Sequence, residues 1–391
     1  MAGVFTGRKN IEADGTGAQW QPNGNVVIDL GRYRNKRNLA TILTISGIIT
    51  AKVATAPTTD AGTVVPIAYK DDHFFNLASN VQIKLNGNTE VKNVNSLAIF
   101  RFMNVLQNRG KFEYRELPES ITIPKGQTTA SAEFLVLVTI PYSLFDMLGA
   151  TQCNIPTWLF SSFQLTYKNE EQSLVFNQPT TAGQSLELAN AYVNCQAKYW
   201  LTDEIRESDP VKFAEKMGNL YTQKVISKGF SGGGKGQYIE LTPNIWVKDY
   251  ILVFRNSQTN ERIDDISTRV KIADGNNILV DTTPAILKND MMNRFSLSQA
   301  LFERELADSP DGKGIFYGVY HISTNYFGDM QNSLVFASWN QPRLYIDFID
   351  NLGLAVGQEV LVEVYQSYEE QPQLLQQVAR AEANAIAGAQ G

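Results

Sequence analysis

Gly229, Gly234 and Lys235, in the stretch GFSGGGKG (229–236), stand at the G-x-x-x-x-G-K spacing of a phosphate-binding loop. Such a loop works by opening a helix, whose N-terminal amides face the phosphates while a Ser or Thr after the lysine holds magnesium. Here the residue after Lys235 is Gly236, so that ligand is missing. The flanks are extended. YTQKVISK precedes, and QYIELTPNIW alternates Tyr238, Glu240 and Thr242 against Ile239 and Leu241, with Pro243 barring an early helix. The glycines therefore predict a connection between two strands, with free φ, and no nucleotide site.

The other reactive side chains are as sparse. His73 and His321 are the only histidines. A metal centre in each half would need a cluster of histidines with a carboxylate, and one histidine per half does not supply it. His73 follows Asp71 and Asp72, which reads as a polar turn before a strand beginning HFFNL. His321, in VYHIS, reads as a packed or interface histidine. Cys153 and Cys195 form no C-x-x-C pair and have no histidine near them in sequence, and Gly-x-Ser-x-Gly does not occur. Asp264-Asp265 and Glu369-Glu370 are adjacent pairs, which a strand points to opposite faces, so they make poor acid–base partners. The expectation is no enzyme, with no catalytic, cofactor-binding or metal-ligating residue and no cofactor. A glycosidase assembled from distant carboxylates stays open.

The 391 residues suit two domains, each large enough for its own core. Charged residues make up 19% and hydrophobic residues 43%, a globular mixture. The formal charge of −6 argues against a broad phosphate-binding surface, so sequence-specific nucleic-acid binding is not expected. Two thiols in so long a chain suggest synthesis in a reducing compartment. AGVFTGRKN after Met1 has no apolar stretch of the kind an export signal needs, and no apolar run is long enough to span a membrane.

The chain says the same thing twice. VVIDLGRYRNKRNLATILTISG (26–47) resembles QYIELTPNIWVKDYILVFRNSQ (237–258), and VQIKLNGNTEVKNVN (81–95) resembles VKIADGNNILVDTTP (270–284), each of the latter a strand, a turn signal and a second strand. IPYSLFDM (140–147) lines up with STNYFGDM (323–330), and Trp158 leads to Leu165 and Tyr167 as Trp339 leads to Ile346 and Phe348. AYVNCQAKYWLTDE (191–204) and VLVEVYQSYEEQPQ (360–373) close the series. The offset shrinks along the chain, so the second copy has the shorter loops.

Many short strands with turn signals predict an all-β protein of two tandem jelly-roll sandwiches, with short helices in loops, at the joint between the rolls and at the C-terminus. The expected divisions are an arm at 1–24, a first roll at 25–202, a helical linker with the glycine loop at 203–236, a second roll at 237–370 and a helical tail at 371–391. One helix is expected over 96–109, with Ile99, Phe102, Met103 and Leu106 on one face. A second is expected around 291–306, with Phe295, Leu297 and Leu301 inward and Asp290 or Ser296 as N-cap. The linker carries Pro210 at a helix start and a stripe of Phe213, Met217 and Leu220. In the tail, Leu374, Leu375, Val378 and Ala379 make a short apolar stripe, which docks on a neighbour or the membrane side or frays.

This order of strands and helices, and above all GIFYGVYHISTNYFGDMQNSLVFASWNQPRLYIDF followed by VLVEVYQSYEE, resembles the double jelly-roll major capsid proteins of tectivirus-like, internal-membrane-containing icosahedral viruses and phages. The resemblance covers about Asn25 to Glu370 and rests on architecture, so it transfers no individual residue role. It implies a virion structural protein made in the host cytoplasm. Three chains would form a homotrimer of pseudo-hexagonal outline that tiles an icosahedral shell over a membrane. Neighbouring capsomers, membrane lipids and minor capsid or vertex proteins would be its partners. The loops 55–66 and 117–131 then become outer surface or clamps between neighbours, or remain ordinary exposed loops. The segment AGVFTGRKNIEADGTGAQWQPNG becomes an arm that orders on assembly. Arg32, Arg34, Lys36 and Arg37 form a basic cluster facing lipid headgroups or an acidic neighbour, or a solvated loop. The competing class is a two-sandwich carbohydrate-binding, spike or adhesin-type protein, for which sixteen tyrosines and five tryptophans offer sugar-stacking rings.

Overall fold

The computed structural model describes all residues except 1–8, 31–36, 88, 108–113, 143–154, 157–161, 201–219, 306–311, 325–338 and 371–391. In the first half β1 (Lys9–Gln19), β2 (Asn25–Asp29) and β3 (Arg37–Val53) lead to β4 (Thr63–Pro66), β5 (Ala68–Tyr69), β6 (Ala78–Leu85), β7 (Thr89–Ser96) and helix α1 (Ala98–Gln107). Strands β8 (Arg115–Glu116), β9 (Ser120–Ile123), β10 (Thr129–Pro141), β11 (Ile155–Pro156), β12 (Phe163–Asn169), β13 (Phe176–Asn177) and β14 (Gln184–Trp200) complete it. The second half has β15 (Leu220–Phe230), β16 (Gly234–Glu240), β17 (Trp246–Asn256), β18 (Ser267–Asp274), β19 (Asn277–Thr282), helix α2 (Pro284–Phe295), β20 (Val319–Ser323), β21 (Arg343–Phe348) and β22 (Val360–Glu370).

Period-two patterning builds the sandwiches. Leu43, Ile45, Ile49 and Ala51 of β3, Phe134, Val136, Val138 and Ile140 of β10, and Phe163, Leu165 and Tyr167 of β12 are buried, and the residues between them are less so. Asn86 (φ 53°) and Gly87 (φ 77°) turn β6 into β7, and Gly275 (φ 58°) turns β18 into β19, as the Asn/Asp-Gly signals require.

The repeat is complete at the level of topology. One sheet of the first half runs β1-β14-β3-β10, and its counterpart in the second runs β15-β22-β17-β20. The other sheet runs β2-β12-β6-β7 in the first half and β16-β21-β18-β19 in the second. Each half also sends a helix across between its β7-type and β10-type strands. Two antiparallel sandwiches of this order are a double jelly roll.

Several expectations change. Within the expected arm at 1–24, Lys9–Gln19 is a strand, because β1 pairs with β14 from Lys9↔Trp200 to Gln19↔Tyr192, while residues 1–8 lie outside the described residues. Its counterpart β15 occupies part of the expected linker, where it pairs with β22 along its whole length. Alternation is weak in both because each is an outer strand of its own four-strand row. The two long loops meet, since Thr63–Pro66 pairs with Ser120–Ile123 and buries Val65, Ile121 and Ile123. The second helix starts earlier than expected. Thr283 is its N-cap, Pro284 opens it, and Ser296 is its left-handed C-cap at φ 53°. Asp290 sits within it, 3.4 Å from Arg294 one turn on. Leu297 and Leu301 are buried beyond it, Leu301 in a short 3-10 turn. HFFNL forms a single 3-10 turn and the strand begins at Ala78. The linker residues 203–219, the tail and the echo around Asp146 and Asp329 lie outside the described residues.

Gly47 lies at the middle of β3, where a Cβ would stand 2.7 Å from Ala191 Cα and 2.9 Å from Phe134. Gly47→Ala is expected to cost about 1–3 kcal/mol by overpacking. Denaturant melts of the purified variant check this, and an unchanged midpoint would contradict the packing described.

Candidate functional site

The glycine stretch connects two sheets. Strand β15 lies in one sheet and β16 in the other, and the chain crosses between them at Ser231–Gly233. A Cβ on Gly233 would stand 2.1 Å from Ile349 O, and one on Gly229 would stand 2.2 Å from a Glu359 carboxylate oxygen. Gly233 is thus a spacer for close approach of backbone, whereas Gly234 (φ 119°) and Gly236 (φ 74°) have open space around them and supply a positive φ. The amide of Gly236 donates to Asp347 Oδ1 at 2.7 Å, so this position already faces an internal carboxylate. A cleft of about 330 Å³ beside the crossing is lined in part by Asp350 and Glu359, the wrong charge for a phosphate. The loop opens no helix, as its flanks indicated.

His321 packs edge-on against Phe295, with ring centroids 5.2 Å apart, and its amide meets Met291 Sδ at 3.1 Å. Burial holds its pKa down to about 3, so it is a neutral core group. No group of three or more metal-ligating side chains occurs among the described residues. Cys195 lies on β14 opposite Leu43, while Cys153 and Arg32, Arg34 and Lys36 fall outside the described residues.

The chemistry that is present concentrates where the two rolls meet. Strand β7 pairs in parallel with β15 through Gln223↔Lys92 and Lys224↔Asn93, making one eight-stranded sheet from both rolls. Lys92 is buried and donates to Gln223 Oε1 at 3.0 Å. Gln223 Nε2 in turn lies 3.3 Å from Ser367 Oγ, and Asn95 reaches Ser227 at 2.8 Å and Glu363 at 2.6 Å. Beside this seam α1 lies against the outer face of the second roll's β17 and β22. Tyr250, Leu252 and Phe254 of β17 join the second core, whereas Ile251 and Val253 join the first. Strand β17 is therefore buried on both faces, which explains its unbroken run YILVF. Helix α1 is buried all round, including Phe100, Arg101 and Val105, beyond the one apolar face expected of it.

Asp71 and Asp72 supply the polar part of this junction and were missed as an ordinary turn. Asp72, held left-handed at φ 58°, sets Oδ1 3.3 Å from Arg101 Nη1 and Oδ2 2.8 Å from Arg255 Nη2. Arg262 Nε lies 3.6 Å from the same Oδ2. Asp71 Oδ2 accepts from the Arg262 amide at 2.6 Å and from Lys313 Nζ at 3.0 Å. Arg255 also meets Glu363 at 3.3 Å, and Arg262 Nη1 donates to the carbonyls of Gly314 and Ile315. Asp71 and Asp72 come from the first roll, and Arg255, Arg262, Lys313 and Glu363 from the second. The nearby acids hold the Arg255 pKa up against burial. The readable signal was Arg101 inside the apolar helix LAIFRFMNVL, since a cation there demands a buried anion.

The same device recurs unfinished in the second roll. Asp264-Asp265 occupies the corresponding turn, and Asp265 is left-handed at φ 56°. Lys288 of α2 stands where Arg101 of α1 does, 2.6 Å from Asp264 and 3.5 Å from Asp265. Tyr320 hydroxyl also bonds Asp264. The Asp265 side chain is 86% exposed.

No family model and no curated protein sequence matches the chain. Solved structures do. The chain superposes on the STIV MCP with a TM-score of 0.62 at 14% identity, covering 93% of this chain and 97% of that one. It superposes on a chain from the atomic structure of Sulfolobus Turreted Icosahedral Virus with a TM-score of 0.63 at 14% identity, covering 98% and 97%. For the Faustovirus major capsid protein the values are 0.56 and 9%, covering 95% and 91%. At these identities the likeness is one of fold, the double jelly roll along nearly the whole chain.

Three outcomes test the junction and the glycine loop. Asp72→Ala strands buried cations and is expected to cost about 3–5 kcal/mol, read as a lowered denaturation midpoint. Lys235→Ala is expected to change stability by no more than about 0.5 kcal/mol and to leave no nucleotide-dependent difference in melting. Asp249 of β17 is buried near Ser367 and Lys92, and desolvation raises its pKa to about 7, against the lowering effect of both neighbours. A carboxyl raised on folding contributes stability at low pH that is lost as pH climbs from about 4 to about 7. The stability of Asp249→Asn minus that of the parent should therefore rise across that window, by up to roughly 4 kcal/mol, and flatten above it. Taking the difference cancels His321, which titrates with the opposite sign.

Proposed function

We propose that this chain is the major capsid subunit of an icosahedral virus, a structural protein without catalysis that assembles as a homotrimer. The observation that carries the reading is the pair of sandwiches with one topology, joined by a shared sheet into a single unit. Likeness along nearly full length to the Faustovirus major capsid protein and the STIV MCP supports it.

The contact between the rolls is head-to-tail, because it joins a β7-type edge to a β1-type edge. A head-to-tail contact repeated with a closing rotation makes a ring. Six near-equivalent rolls need three chains, and the outline is then hexagonal, so such blocks tile a flat facet with little waste. On this reading the protein is made in the host cytoplasm and resides in the virion shell. Its partners are itself, neighbouring capsomers, minor capsid or vertex proteins and internal membrane lipids. The proposed domains follow the two topological rows, β1–β14 and β15–β22. The cleft beside the glycine crossing is acidic and free of aromatic lining, so it does not favour a carbohydrate site there.

Native mass measurement of the purified protein tests this. The expected species is three times 43.6 kDa. A monomer that binds glycans would overturn the proposal in favour of a lectin-like role.

A further inference from the structure

A chain of four polar side chains runs through the seam between the rolls. Lys92 comes from β7 of the first roll, and Gln223, Asp249 and Ser367 come from β15, β17 and β22 of the second. None of the four is more than 2% exposed. Lys92 Nζ donates to Gln223 Oε1 at 3.0 Å, and Gln223 Nε2 lies 3.3 Å from Ser367 Oγ. Ser367 in turn bonds Asp249, which also feels the charge of Lys92. Asp249 Oδ1 is buried and has no hydrogen-bond partner among the described residues. Met103 Sδ, 2.7 Å from Gln223 Nε2, and Ile251, two residues on from Asp249, close the site with apolar groups.

A hydrogen bond to a neutral amide does not offset the burial of an ammonium, and a carboxylate with one bare oxygen offsets it only in part. Passing a proton from Lys92 to Asp249 removes both charges. Desolvation raises the Asp249 pKa to about 7, so its acid and its carboxylate are both within reach at neutral pH. An amine, a carboxamide and a carboxylic acid then lie together out of water. Those are a nucleophile, an acyl donor and a proton carrier.

We propose that Lys92 and Gln223 condense into an amide bond joining the two rolls, with Asp249 carrying the protons and Ser367 relaying one of them. The Lys92 ammonium first gives a proton to Asp249. The freed lone pair forms the Nζ–Cδ bond while the carbonyl π pair moves onto Oε1. Attack needs the reacting atoms about 3–3.5 Å apart. With Nζ already 3.0 Å from Oε1, a small rotation of the carboxamide brings Cδ into that range. Asp249 delivers its proton to Nε2 through the Ser367 hydroxyl, which is free to rotate, and takes one from Nζ. The Cδ–Nε2 bond breaks with its electron pair on nitrogen, and Oε1 re-forms the carbonyl. One ammonia leaves, Asp249 ends as it began, and nothing is oxidised or reduced. Exclusion of water keeps hydrolysis from competing. The bond makes the junction permanent and closes a long loop of the unfolded chain.

Intact mass and tryptic mapping of the full chain test this. The chain should be lighter than its sequence mass by one ammonia, and trypsin should release 85–101 joined to 217–224 as one branched peptide. That peptide distinguishes the bond from ring closure at an Asn-Gly step, which loses the same mass. Lys92→Met should give no branched peptide. Asp249→Asn keeps the shape of the side chain but carries no proton, so the joined fraction soon after synthesis should fall at least tenfold. A parent chain that keeps its full sequence mass and yields 217–224 unjoined after prolonged incubation overturns the proposal. A folded Asp249→Asn variant that joins as fast as the parent overturns the role given to Asp249.

Discussion

Strand β17 has no solvent side. One face closes the second roll and the other takes the first roll's helix and its buried aspartates, so the two sandwiches cannot rotate past each other without exposing both. The arrangement is rigid for two different reasons. The apolar cluster that takes in α1 together with Ile251, Val253 and Tyr365 gives adhesion without direction. The charged cluster gives direction, because Asp72 must satisfy Arg101 of its own roll and Arg255 of the other at once. A buried ion cluster of this kind contributes little net stability compared with apolar groups of the same volume, but breaking one member is costly. Its effect here is to permit one relative orientation. A building block with fixed geometry is what a closed ring demands.

The divergence between the rolls is as informative as their likeness. Arg101 and Lys288 hold corresponding places beside left-handed aspartates, yet the first is fully buried and the second remains near the surface. Helix α1 is buried all round and α2 on one side only. Each sequence is matched to its surroundings, one inside the junction between the rolls and the other beside a side chain, Asp265, and an isoleucine, Ile286, that are exposed among the described residues. Duplication followed by this kind of specialisation accounts for echoes that are recognisable in order but weak in letters.

Much of this was legible. The alternation in ILTISG, the unbroken apolar run YILVF, the Asn-Gly and Asp-Gly turns and the ordered echoes carry the double roll, because pattern and turn chemistry are local properties. The glycine loop was readable for the same reason, through Gly236 and Pro243. What escaped was set by distant partners. Strand β1 has no periodic signature of its own, and β4 and β9 are only four residues each, so the alternation of SITI is too short to show which strand it pairs with. The helix boundary slipped because Thr283-Pro284 starts a helix of weak amphipathicity, and Asp290 made a better-looking cap. The aspartate turn looked ordinary because its counter-ions lie far along the chain, in Arg255, Arg262 and Lys313.

The most direct measurement is to image the purified oligomer by electron microscopy and average the particles seen down their axis. Rolls locked in one orientation and repeated by a head-to-tail contact should give six lobes of near-equal size with threefold symmetry. Two-lobed particles, or rings whose lobes vary in spacing from particle to particle, would contradict the account.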